Sequence, residues 1–223
     1  MSDPIPFPKP LIDAEQVETI VFDLDGTLYQ APSLAQQVEH VSEKLVAATR
    51  GVTLAQGREL LKRARLRLAE ELEAEPTLTQ TCVRMGIEIQ ELHAAFERDI
   101  IPEEHLVEDP LVRALLESLQ DRCRLYIYTN NNLALSQRIL ASLGIADLFE
   151  KLYTIEMAWS PKPDPEALRQ ILADIGGPLE SFLFVGDRRQ VDLLLPAAWG
   201  IPTLLVRDTA QLVQIHKVLG IIP

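Results

Sequence analysis

The chain has 223 residues, 47% hydrophobic and 24% charged, with a formal net charge of −12. That is globular composition, long enough to bury a core without disulfide or metal staples. The acidity argues against a basic nucleic-acid footprint, and any anionic substrate would need a local cation to offset the chain's own field.

The start, "MSDPIPFPKP", alternates proline and lacks a signal peptide's apolar segment, so it reads as an extended lead-in. Residues 19–23 are β-branched and aromatic before Asp and Gly intervene, and they predict a strand. From about 33 to 100 the pattern is helical. Leu34, Val38, Val41, Leu45 and Val46 share one helix face, which Gly51 ends. Thr53 is placed to cap the next helix, and two further helices of near ten residues follow Pro76. After Pro110 strands and helices alternate: helix 111–120, strand 124–129, helix 133–144, a short strand 152–155 and helix 164–176. Then come strand 182–186, a helix over 191–200 broken or bent at Pro196, strand 203–207 and a final helix 209–220. The expected fold is α/β: a Rossmann-like parallel sheet with helices on both faces, plus an inserted all-helical cap. The expected division is an α/β core of residues 1–30 and 107–223 and a helical cap of residues 31–106. No stretch approaches the ~20 apolar residues of a membrane helix. Cys82 and Cys123 form no C-x-x-C pair and read as reduced thiols of a cytoplasmic protein. No motif speaks to oligomeric state.

Ligands of open α/β sheets sit beyond the carboxyl ends of the strands. There the sequence places Asp23 and Asp25, then Thr129-Asn130-Asn131, then Gly186-Asp187 with Asp192 five residues on. In extended chain, positions 23 and 25 project to one side while Leu24 packs on the other. Two carboxylates ~4 Å apart repel by about 4 kcal/mol at an effective dielectric near 20. A hard divalent cation would relieve that, and oxygen-only ligands suit magnesium. Lys162 lies between two prolines in "SPKPDPE". It reads either as a solvated surface lysine or as a fixed cation offsetting the acids and an incoming phosphoryl group.

Asp23-Leu24-Asp25-Gly26-Thr27-Leu28, Thr129-Asn130, Lys162 within Pro161-Lys-Pro-Asp-Pro, and Gly186-Asp187-x4-Asp192 resemble, in order, the four motifs of the haloacid dehalogenase-like superfamily. The resemblance runs from about residue 18 to 206. The helical block after the first motif resembles the small cap of the branch that holds phosphoglycolate phosphatases, β-phosphoglucomutases and nucleotidases. "LYIYTNNNLALSQRILASLGIADLFEKLYTIE" is similar to the pyrimidine 5′-nucleotidase-like members.

The resemblance implies a magnesium-dependent phosphatase acting on a small phosphorylated metabolite, a nucleoside 5′-monophosphate among the candidates. Asp23 would be the nucleophile and Asp25 the general acid and base. The backbone amides of Leu24 and Asp25, Thr129, the Asn130 amide and Lys162 would hold the phosphoryl group. Asp23, the Asp25 carbonyl and Asp187 would bind Mg2+, with Asp192 in support. Relatives that cleave carbon–halogen bonds lack the second aspartate of the first motif, so Asp25 argues against that chemistry. A phosphosugar mutase and a catalytically silent binding module are the readings left open. Arg188 stands where many relatives have serine. His40, His93 and His105 are expected on the surface or in helices, Phe96 in the core, and Trp159 as a loop anchor. The cations of "LKRARLRL", residues 61–68, read as a solvated helix face or as a contact for an anionic substrate.

Overall fold

A computed structural model of the protein describes residues 12–221; the proline-alternating start expected to be extended lies outside them. Five strands, β1 (Thr19–Phe22), β2 (Arg124–Tyr128), β3 (Lys151–Tyr153), β4 (Phe182–Gly186) and β5 (Thr203–Leu205), form one sheet in the order β3-β2-β1-β4-β5. Every pairing is parallel. The central strand β1 is buried at all its residues, as expected where a parallel sheet is covered on both faces.

The alternation of side chains assigns those faces. Ile20 and Phe22 of β1, Leu125 and Ile127 of β2, and Leu183 and Val185 of β4 pack into one cluster with α5 (Pro110–Gln120), α6 (Leu133–Ser142) and α9 (Val213–Val218). Val21, Tyr126, Phe182 and Phe184 point the other way, onto Leu168 and Ile171 of α7 (Pro165–Ile175). The register pairs Ile20 with Leu125 on one side and Leu183 on the other, so like faces line up across the sheet. Full burial of each such side chain stabilises the fold by about 1.5–3 kcal/mol.

Between β1 and α5 lie α1 (Pro32–Arg50), α2 (Leu54–Leu72), α3 (Leu78–Arg84) and α4 (Ile89–Asp99), with no named strand among them. Pro32 opens α1, where its missing N–H costs nothing, and Gly51 closes it in the left-handed conformation. Thr53 and Gln56 form a capping box at α2, and Thr77 and Gln80 repeat it at α3. The apolar face of this helical block is continuous with the sheet's core: Val41, Leu61, Cys82, Leu92 and Phe96 belong to the same cluster as Ile20 and Phe22.

Two helices depart from expectation. The 191–200 helix is not broken at Pro196. The irregularity lies upstream, in a π-helical turn Arg189–Leu193, and Pro196 sits in the first turn of α8 (Leu194–Ala198), where a proline breaks no intrahelical bond. The final helix opens as a 3-10 turn, Thr209–Leu212, capped by the Asp208 side chain. The strand ends also shorten: β3 stops at Tyr153, and Ile155 already belongs to a 3-10 turn.

Candidate active site

The first loop leaves β1 without leaving the sheet. The Asp23 amide donates to the Val185 carbonyl at 2.8 Å, so Asp23 holds strand register while its side chain projects beyond the strand end. Gly26 and Tyr29 then fold the chain back, the Gly26 N–H donating to the Tyr29 carbonyl at 3.0 Å, and Leu24 drops into the core. The Thr27 hydroxyl donates to Asp23 Oδ2 at 3.1 Å.

Lys162 is only 2% exposed, which removes the solvated-lysine reading. Its Nζ donates to Asp23 Oδ1 at 2.6 Å, Asp192 Oδ1 at 2.7 Å and the Tyr128 carbonyl at 2.9 Å. Its backbone N–H donates to Asn130 Oδ1 at 2.8 Å, which ties the proline loop to the end of β2. Burial opposes the ammonium charge, but Asp192 and Asp23 overcome it and hold the group above its ordinary range.

The acids converge. Asp23, Asp187 and Asp192 each bring an oxygen within 4.8 Å of the others. Two glycines make the approach possible. A Cβ on Gly26, whose φ is +86°, would lie 2.4 Å from Asp187 Oδ2, and one on Gly186 would lie 2.5 Å from Asp192 Cβ. Asp192 is further held by the Arg188 N–H, which donates to its Oδ2 at 3.0 Å. Asp187 Oδ1 is buried and has no hydrogen-bond partner among the described residues. Burial, together with the nearby Asp192 charge, lifts the Asp23 carboxyl above its usual range, and the same two causes lift Asp187 to about 6. One ammonium among three carboxylates leaves negative charge uncompensated. An orphaned carboxylate oxygen beside two other acids fits a hard cation with oxygen ligands.

Asp25 faces the cavity opening and is fixed on both oxygens. The Tyr29 hydroxyl donates to Oδ1, and the Asn131 amide donates to Oδ2 at 2.7 Å. Desolvation by the surrounding walls raises its carboxyl against those bonds. Neither Tyr29 nor Asn131 was assigned a site role from sequence. Asn131 lies within the run that carries Thr129 and Asn130, and three asparagines in a row were the available signal. Thr129 is buried, its Oγ1 accepting the Asn131 N–H at 3.1 Å, and it does not line the cavity.

These groups open into a cavity of about 440 Å³ whose far wall is helical, including Gln36, Glu39, Arg65, Thr77 and Thr79. Two hydrogen bonds cross it at the rim. Arg188 donates to the Glu75 carbonyl at 2.7 Å, and Gln80 donates to the Lys162 carbonyl at 3.4 Å. Phe96 is buried and also touches the cavity, so the core placement stands. His93 lies in helix α4 as expected but is not on the surface: it is 2% exposed, edge-on to Phe96 and 6.3 Å from the half-buried Trp159 ring, and neither ring nitrogen has a partner among the described residues. His105 Nε2 lies 3.1 Å from Gln37 Oε1, and His40 Nδ1 lies 3.4 Å from Glu43 Oε2.

Comparison with known proteins agrees with this layout. The family model described as haloacid dehalogenase-like hydrolase matches residues 17–198. A phosphoglycolate phosphatase of Salmonella typhimurium is 30% identical over 207 residues, covering 85% of this chain and 81% of its own. A haloacetate dehalogenase H-2 of Moraxella is 29% identical over 183 residues, 78% of each chain. The crystal structure of a HAD phosphatase from Thermococcus onnurineus superposes with a TM-score of 0.58 at 16% identity, covering 92% of this chain and 98% of its own, which establishes the shared fold. The chain belongs to the haloacid dehalogenase-like hydrolases.

Proposed function

We propose that the protein is a magnesium-dependent phosphatase that hydrolyses a small phosphomonoester through an aspartyl phosphate. The supporting observation is Asp25: a second carboxylate, two residues after Asp23, held toward the same cavity by Tyr29 and Asn131. Displacement of a halide needs no acid for its leaving group; displacement of an alkoxide does.

In this reading Asp23, oriented by Lys162 and Thr27, attacks phosphorus as the P–O bond to the leaving group breaks. Asp25 gives its proton to the departing oxygen. It then takes a proton from water as that water attacks the aspartyl phosphate, which releases phosphate and regenerates Asp23. The raised carboxyl of Asp25 suits the first of these tasks. The Lys162 charge beside Asp23 offsets that of the incoming phosphoryl group, the Asn130, Leu24 and Asp25 amides cradle its oxygens, and Thr129 supports the cradle from behind through the Asn131 N–H. Asp23, the Asp25 carbonyl, Asp187 and Asp192 would hold Mg2+, which supplies charge neutralisation when bound. Residues 31–106 serve as the cap over a core of 1–30 and 107–223.

The phosphoglycolate phosphatases among the relatives favour a small, non-aromatic ester over a nucleoside monophosphate. Phe96, at 3% exposure, offers little face for a base to stack on. The test is phosphate release from a panel of phosphomonoesters with magnesium and after chelation, beside halide release from haloacetate. Turnover is expected only with phosphate esters and magnesium, and Asp23→Asn is expected to lose about a thousandfold or more while remaining folded. Halide release, or full phosphatase activity in the asparagine variant, would overturn the assignment.

A further inference from the structure

The four cations of residues 61–68 do not behave alike. Lys62, Arg63 and Arg67 are exposed on α2, and Arg63 pairs with Glu59 one turn away. Arg65 is half-buried and is the one cation of α2 that lines the cavity holding Asp23, Asp25 and Lys162. The other cations of that lining are committed elsewhere. Lys162 spends its three ammonium hydrogens on Asp23, Asp192 and Tyr128, and Arg188 grips the Glu75 carbonyl. Among the described residues Arg65 is held by two exposed acids alone, Glu75 at 2.9 Å and Glu39 at 3.8 Å. Pairs of that kind are weak and exchangeable, so an incoming anion can take the place of a glutamate. Its planar fork also matches a carboxylate in a bidentate manner.

We infer that Arg65 selects phosphomonoesters whose leaving group carries a second anionic group, a carboxylate by preference, and that Glu75 competes with the substrate for it. This rests on the phosphatase reading of the same cavity. The acidic lining strengthens the argument. A leaving group with its own negative charge would be repelled by Glu39 and the aspartates unless a cation on the helical wall received it.

The experiment compares matched esters, ω-carboxyalkyl phosphates beginning with phosphoglycolate against the ω-hydroxyalkyl phosphates of the same chain length. The readout is the ratio of kcat/KM for the charged ester to that for its neutral partner. In Arg65→Gln that ratio is expected to fall about tenfold, the size of one lost charge-assisted contact, chiefly through KM. Arg65→Lys restores part of it. Glu75→Gln keeps the backbone carbonyl that Arg188 holds, removes the competing charge and raises the ratio. The opposite signs of the two glutamine variants separate substrate recognition from a structural role for the ion pair, whose loss would shift both in one direction. Ratios unmoved in both variants at every chain length, with turnover intact, overturn this inference alone. No turnover of any ester overturns the phosphatase reading and this inference with it.

Discussion

Lys162 shows how a single side chain is forced by its surroundings. Two buried carboxylates, Asp23 after β1 and Asp192 in the π-helical turn after β4, require a cation, and the proline loop delivers one between them. Removing one partner of a buried pair leaves an uncompensated charge, so Lys162→Met is expected to lower stability by about 3–5 kcal/mol in metal-free protein. Urea unfolding with and without magnesium checks this; the loss should shrink when the divalent ion is present. Adjacent residues divide the work as finely. Asn130 fastens the Lys162 backbone, Asn131 fixes Asp25, and Asn132 caps α6 through the Leu135 N–H while its amide reaches the His93 carbonyl. The acids, the lysine and their order were legible in the sequence, because strand ends in an α/β sheet fall together whatever the intervening chain. The separate duties of three identical side chains were not, since each depends on which element comes to face it.

Among the elements, α4 carries the feature that periodicity least anticipates. Its buried face is Leu92, His93, Ala95 and Phe96, and the histidine sits in an apolar setting without a hydrogen bond to either ring nitrogen. Burial pushes its pKa down to about 4. The unfolded chain takes up the proton near the ordinary value of about 6.5 while the native state resists it, so acid favours unfolding through this residue. The stability present at neutral pH is lost as pH falls from about 6.5 toward about 4, a contribution reaching about 3 kcal/mol. His93→Leu should flatten that part of the curve. Urea midpoints of both proteins at about pH 7 and about pH 4.5 give the comparison, with other titrations common to the two. The helix itself was legible from its spacing, but spacing cannot tell a solvated histidine from one sealed under Trp159 and Phe96. Likewise the π-helical turn before α8 follows from Asp192 having to meet Lys162 across Gly186, a tertiary demand that no local pattern announces.

For the whole molecule the question is how the helical block stays registered over the sheet. A shared apolar cluster joins them, and at the rim Arg188 and Gln80 tie the α2–α3 link and α3 to the residues flanking Asp187 and Lys162. Arg188→Ala removes the shorter of these bonds. We expect faster amide hydrogen exchange around residues 73–77 and a KM raised several-fold, with a global stability change of about 1 kcal/mol or less. Unaltered exchange in that link would show that the apolar cluster alone sets the geometry. The overall division into sheet and helical block was readable because β1 stands apart from the later strands. The continuity of their core was not, since a helix face shows that it is apolar without showing what covers it. The Lys162 ammonium, finally, has its three hydrogens taken up by Asp23, Asp192 and Tyr128 and is only 2% exposed where it meets the cavity. Amine-acylating reagents should therefore label surface lysines such as Lys62 and spare this one until the chain opens, making its peptide in a mass-spectrometric footprint an internal gauge of global unfolding.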